Sequence, residues 1–82
     1  MAYQLTPERI AENDAALAAY AQACAEGNDK TIWPTFARVE QCMNSMNLMG
    51  LGLEGERIRI AMNQITRQRR EARNAVRQSK AA

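Results

Sequence analysis

Apolar side chains recur along the last third of the chain at intervals of four and three residues: Ile58, Met62, Ile65, Ala72 and Val76, with Arg69 standing where one more apolar residue would keep the rhythm. That spacing is the stripe of a helix packed along another helix, and it predicts one long helix over residues 54–79. A second row, Arg70, Arg73, Arg77 and Lys80, runs beside the stripe, so the same helix carries a greasy side and a basic side. In the middle third Ile32, Phe36, Val39, Met43 and Met46 follow the same rhythm and predict a helix over 31–49, with Thr31 as its cap and Pro34 in its first turn. A third helix is predicted over 6–26. Thr6 is its N-cap, Pro7 its first residue and Glu8 the acid in its first turn, while Leu5 and Ile10 stand where a hydrophobic staple forms and Gly27 marks the exit.

The side that this first helix buries should hold Ile10, Leu17, Ala21 and Cys24, flanked by Tyr20; eight alanines between Ala11 and Ala25 let a neighbour come close. Between the second and third helices the apolar rhythm changes phase, and Gly50, Gly52 and Gly55 make either a hairpin turn or a sharp bend inexpensive. Met1 to Gln4 should form an arm, and Lys80 to Ala82 should fray.

Eighty-two residues make one domain, in which a modest core must be supplemented by good helix packing or by association. The expected fold is therefore all-α: a three-helix, hairpin-type protein with a long basic C-terminal helix, in an oligomeric bundle. A homodimer or higher oligomer would cover the seam Ile58, Met62, Ile65, Arg69, Ala72 and Val76. A charged residue inside such a seam fixes register or partner, and Arg69 is expected to pair with Glu12, Asn13 or Asp14 of the first helix or with a second subunit.

Charge sharpens the picture, because the overall balance of +2 conceals two unlike halves. Residues 1–53 sum to −3 and residues 54–82 to +5, an asymmetry that suits an acidic partner surface, nucleic acid, or pairing of the chain's own segments. Cys24 and Cys42 match neither a metal-ligand spacing nor a disulfide framework, and read as small buried groups of a reducing compartment. No signal peptide is expected from the first residues, and Gln41 to Leu53, the longest uncharged stretch, is too short and polar for a membrane span. A cytoplasmic protein is expected.

Chemistry is conspicuous by what is missing. The chain has no histidine, no CxxC pair and no phosphate-binding loop; GLGLEG at 50–55 has neither a preceding strand nor a following Lys-Ser/Thr. Glu56 with Arg59 and Arg67 with Glu71 have the spacing of solvated helix pairs. No enzyme activity, metal or cofactor is expected. A binding protein is: Arg70, Arg73 and Arg77 are the candidates for polar contact with a protein partner, and Trp33, Met49 and Leu51 the candidate apolar anchors. The alternatives are a basic helical dimer that binds nucleic acid, with Gln68, Asn74 and Gln78 near base edges, and a structural or assembly subunit.

One segment resembles a known family. Arg57-Ile58, Ala61-Met62-Asn63, Ile65 and Arg67 resemble the C-terminal helix of a small phage anti-CRISPR family that blocks the type I-F surveillance complex, over about a dozen residues. That family is built on an antiparallel sheet and binds its partner through residues outside this segment, so no site residue transfers. What the resemblance implies is an accessory protein of a phage or mobile element, an inhibitor or adaptor that occupies a surface of a larger host protein.

Overall fold

The computed structural model describes residues 3–81, with side chains through Ser79; Met1, Ala2 and Ala82, part of the expected arm and fraying end, lie outside it. Three helices follow one another: α1 (Pro7–Glu26), α2 (Asp29–Leu48) and α3 (Gly52–Ala81). The all-α expectation is met, and each helix packs on both others. No helix is long and apolar enough to cross a membrane among the described residues.

Local chemistry sets each boundary. The Thr6 hydroxyl accepts the Arg9 N–H at 3.2 Å, with Pro7 where its missing N–H costs nothing. At the other end of α1, Gly27 takes φ 69°, and its N–H donates to the carbonyls of Ala23 and Cys24. The chain then turns within one further residue. Asn28, not Thr31, caps α2, its side-chain oxygen accepting the Lys30 N–H at 3.0 Å, while Thr31 donates its hydroxyl to the Asn28 carbonyl. Starting α2 at Asp29 puts Pro34 in its second turn, so the Lys30 carbonyl loses its helix donor on an exposed surface where water can replace it.

The glycine-rich stretch is a hairpin. Gly50 has φ 77° and donates to the Asn47 carbonyl, and Leu51 donates to the Met46 carbonyl at 2.8 Å, the paired bonds of a Schellman close. Gly55 serves differently: it lies inside α3 where the Asn47 carboxamide crosses it, and a Cβ there would meet Asn47 Cγ at 3.0 Å.

The core is a single cluster of Ala16, Leu17, Tyr20, Ala23, Ile32, Val39, Met46, Ile58 and Met62, with Phe36, Met43, Met49, Leu51, Ile65 and both free thiols, Cys24 and Cys42, at its edge. The buried side of α1 is thus centred on Asn13, Ala16, Leu17, Tyr20 and Ala23, while Ile10 and Ala21 are only half-buried. Tyr20 meets Phe36 edge-on at 5.5 Å and its hydroxyl lies 2.6 Å from Thr66 Oγ1. Thr66 spends its own proton on the Met62 carbonyl, so Tyr20 is the donor.

Length mismatch shapes the molecule. Helices α1 and α2 have 20 residues each and α3 has 30, about 30 Å against about 45 Å. Asp29, the first residue of α2, reaches Arg69 of α3, so α3 beyond that level runs on alone. Every described side chain from Arg70 to Ser79 is exposed, and the molecule measures 59 × 20 × 17 Å.

Candidate functional site

Two surfaces at opposite ends of the bundle stand apart from the core, and a buried polar network fixes how they are oriented. That network joins α1 to α3. Glu54, only 5% exposed, accepts from Asn13 Nδ2 at 2.9 Å and takes a two-pronged contact from Arg57, whose Nε and Nη2 each lie 2.6 Å from a carboxylate oxygen. Arg57 Nη1 continues to Asp14 at 3.0 Å. The guanidinium of Arg57, helped by the Asn13 donor, holds the Glu54 carboxyl below the usual carboxylate range although burial pulls the other way. In return Glu54 and then Asp14 raise the Arg57 guanidinium further, keeping it charged. Among the described residues no buried side-chain nitrogen or oxygen lacks a partner. The Tyr20 hydroxyl is pushed upward by its burial.

The first surface is the α2–α3 turn. Leu48 is 88% exposed and Leu53 91%, one on each side of the left-handed Gly50. Leu5, Leu51 and Leu53 line an open apolar depression of about 610 Å³ with Gly50, Gly52 and Glu54. Met49 and Leu51, the anchors expected here, are half-buried against the core, so the side chains standing free are their neighbours Leu48 and Leu53. Closing the Schellman turn draws Leu51 inward as α2 ends and leaves Leu48 pointing away.

The second surface is the free end of α3. Arg69, Ala72, Arg73, Val76 and Arg77 form one wall of a groove of about 490 Å³ whose other wall is Cys24, Gly27 and Asp29. Arg70 opens on a neighbouring recess with Thr66, Arg69 and Arg73. Arg69 donates from Nη2 to Asp29 Oδ1 at 3.3 Å; the expected partners on α1 are not its partners, since Asp14 pairs with Arg57 and Asn13 with Glu54. Trp33 is 65% exposed and touches Phe36 edge-on at 6.2 Å. It lies in the half of the molecule where α2 begins, away from Met49 and Leu51.

The six expected partner-contact residues therefore fall into two groups: Met49 and Leu51 at the turn, and Arg70, Arg73, Arg77 and Trp33 toward the other end. The seam divides likewise. Ile58 and Met62 are buried and Ile65 half-buried against the chain's own α1 and α2, Arg69 is paired to Asp29, and Ala72 and Val76 stand open, Val76 at 56%. On the outer face the Glu56–Arg59 ion pair forms and lowers the Glu56 carboxyl, while Arg67 and Glu71 make no ion pair among the described residues.

No group of three or more acidic or cysteine side chains is placed to hold a metal ion among the described residues. Neither a protein-family model, nor a curated protein, nor a solved structure matches the chain.

Proposed function

We propose that this chain is a non-enzymatic binding protein, an inhibitor or adaptor that works by occupying a surface of a larger protein, and that the α2–α3 turn is its docking end. The observation that carries the reading is the exposure of Leu48 and Leu53, adjacent to a depression already lined by Leu5 and Leu51. Two leucines held in water at the rim of a tight turn contribute nothing to the bundle, yet each would contribute about 2 kcal/mol when buried against a partner. The buried Asn13 and Glu54, together with the partly exposed Arg57, engage one another and hold α1 on α3 behind the turn. Trp33 is a second apolar contact available to a partner. A second copy of the chain, if it docks, has Leu48 and Leu53 or Ala72 and Val76 to use, because Ile58, Met62 and Ile65 are occupied within the monomer.

Immobilised wild type and a Leu48→Ser/Leu53→Ser variant, challenged with a lysate of the native host, test the reading. A protein retained by the wild type should be lost from the variant, whose thermal unfolding stays unchanged. Equal retention by both, or no specific retention by either, refutes it.

A further inference from the structure

The arginines of α3 are treated in two different ways by the rest of the chain. In the half of α3 that lies along α1 and α2, Arg57 is paired with Glu54 and Asp14, Arg59 with Glu56, and Arg69 with Asp29, while Arg67 makes no ion pair among the described residues. In the free end, no carboxylate among the described residues lies within ion-pair distance of Arg70, Arg73 or Arg77. At 3.6 residues per turn, Arg69, Arg70, Arg73 and Arg77 fall within an arc of about 100°, and Glu71 lies on the far side of the helix. Arginines three and four residues apart repel one another. The projecting end is thus a row of like charges, and the one carboxylate lining its groove, Asp29, is paired with Arg69.

We propose that the projecting end of α3 is a DNA-binding rod, in which Arg70, Arg73 and Arg77 neutralise phosphates of a duplex lying along one side of the helix. This goes beyond the protein-docking reading and uses the opposite end of the molecule. Three features favour this ligand. Val76 is the one bulky apolar side chain of this surface and no aromatic accompanies it, whereas protein interfaces concentrate apolar and aromatic residues at their centre. No aromatic residue occurs anywhere in α3, which removes the base-stacking platform that single strands call for. Every described side chain of the free end is exposed, the helix has the dimensions that a DNA major groove admits, and Asn74, about 40° around the helix from Arg70, stands at the margin of the basic arc where it would lie near base edges. Arg70 to Arg77 span about 10 Å of helix axis, over which duplex DNA presents about six phosphate charges, more than enough for three arginines.

The test is fluorescence anisotropy with a labelled 20-base-pair DNA duplex, a labelled 20-nucleotide RNA and a labelled polyglutamate peptide as separate probes, between 50 and 200 mM salt. Three neutralised phosphates predict a slope of about −2.7 in log affinity against log salt for the duplex, roughly a 40-fold loss across that range. Each single Arg→Gln change at 70, 73 or 77 should flatten the slope by about 0.9, and the triple change should abolish binding without altering helix content. Arg38→Gln, an exposed arginine on α2, should leave both affinity and slope as they are. The proposal is overturned if the duplex fails to bind at 100 μM protein in 50 mM salt. It is equally overturned if the triple variant binds like wild type, if Arg38→Gln weakens binding as much, or if RNA or polyglutamate binds more tightly than the duplex. The leucine pair plays no part in this measurement, so its outcome is separate from that of the docking reading.

Discussion

Replacing Glu54 by glutamine tests whether the buried contact between α1 and α3 carries the weight its geometry indicates. The carboxylate is almost fully enclosed, holds Arg57 through two 2.6 Å contacts and accepts from Asn13 at 2.9 Å. Breaking a fully buried ion pair costs about 3–5 kcal/mol, but the Arg57 side chain is 44% exposed and keeps Asp14, so water and the second carboxylate soften the loss. The expected destabilisation of Glu54→Gln at pH 7 is about 2 kcal/mol. With a urea dependence of about 1 kcal/mol per molar for so small a chain, the unfolding midpoint should fall by roughly 2 M. The pH dependence has a definite sign. Glu54 titrates lower in the folded protein than in the unfolded chain, so its contribution is fully present above about pH 4.3, the unfolded value, and disappears as pH falls through the folded value. Urea unfolding followed by circular dichroism at pH 7 and pH 3 should therefore show a wide gap between wild type and variant that narrows in acid. A variant within 0.5 kcal/mol of wild type at pH 7, or a gap that persists undiminished at pH 3, refutes the reasoning.

The seam of α3 should split energetically at Arg69. Ile58→Ala, in the centre of the core, is expected to cost about 3–4 kcal/mol in chemical denaturation, whereas Val76→Ala should change stability by less than about 0.5 kcal/mol. The hairpin glycines should also differ. Gly50→Ala places a side chain at φ 77° and should cost about 1–2 kcal/mol. Gly55→Ala should come out within about 1 kcal/mol of wild type, because the exposed Asn47 can rotate aside and alanine favours the helix. Tyr20→Phe should lose about 1 kcal/mol with its hydrogen bond to Thr66, measured by thermal unfolding.

The three helices are legible in the heptad spacing because each stripe is long and each end is marked by Thr6-Pro7, Gly27 or Gly50, whereas the choice of a hairpin over a bend at Gly50 needs the left-handed turn that the structure shows. Where two capping residues stand close together, as Asn28 and Thr31 do, pattern alone selects the wrong one; the left-handed Gly27 delivers the chain directly to Asn28. The Asn13–Glu54 pair spans 41 residues of sequence, and its one local trace is a polar side chain standing in line with Ala16, Leu17 and Tyr20. Arg69 shows the same difficulty. An acidic neighbour was foreseeable, but choosing Asp29 over Asp14 requires the register of α2 against α3, which periodicity does not contain. At the turn, excess apolar residues are visible in the sequence, and only the geometry of the Gly50 turn separates the exposed Leu48 and Leu53 from the sheltered Met49 and Leu51.

Hydrogen–deuterium exchange on the complex with a captured host protein addresses the docking end most directly. Amides from Asn47 to Glu54, around the two exposed leucines, should become protected relative to the free protein, while those of the outward face of α2 near Arg38 exchange as before. Protection confined to other segments, with the turn exchanging as fast in the complex as alone, would contradict the account.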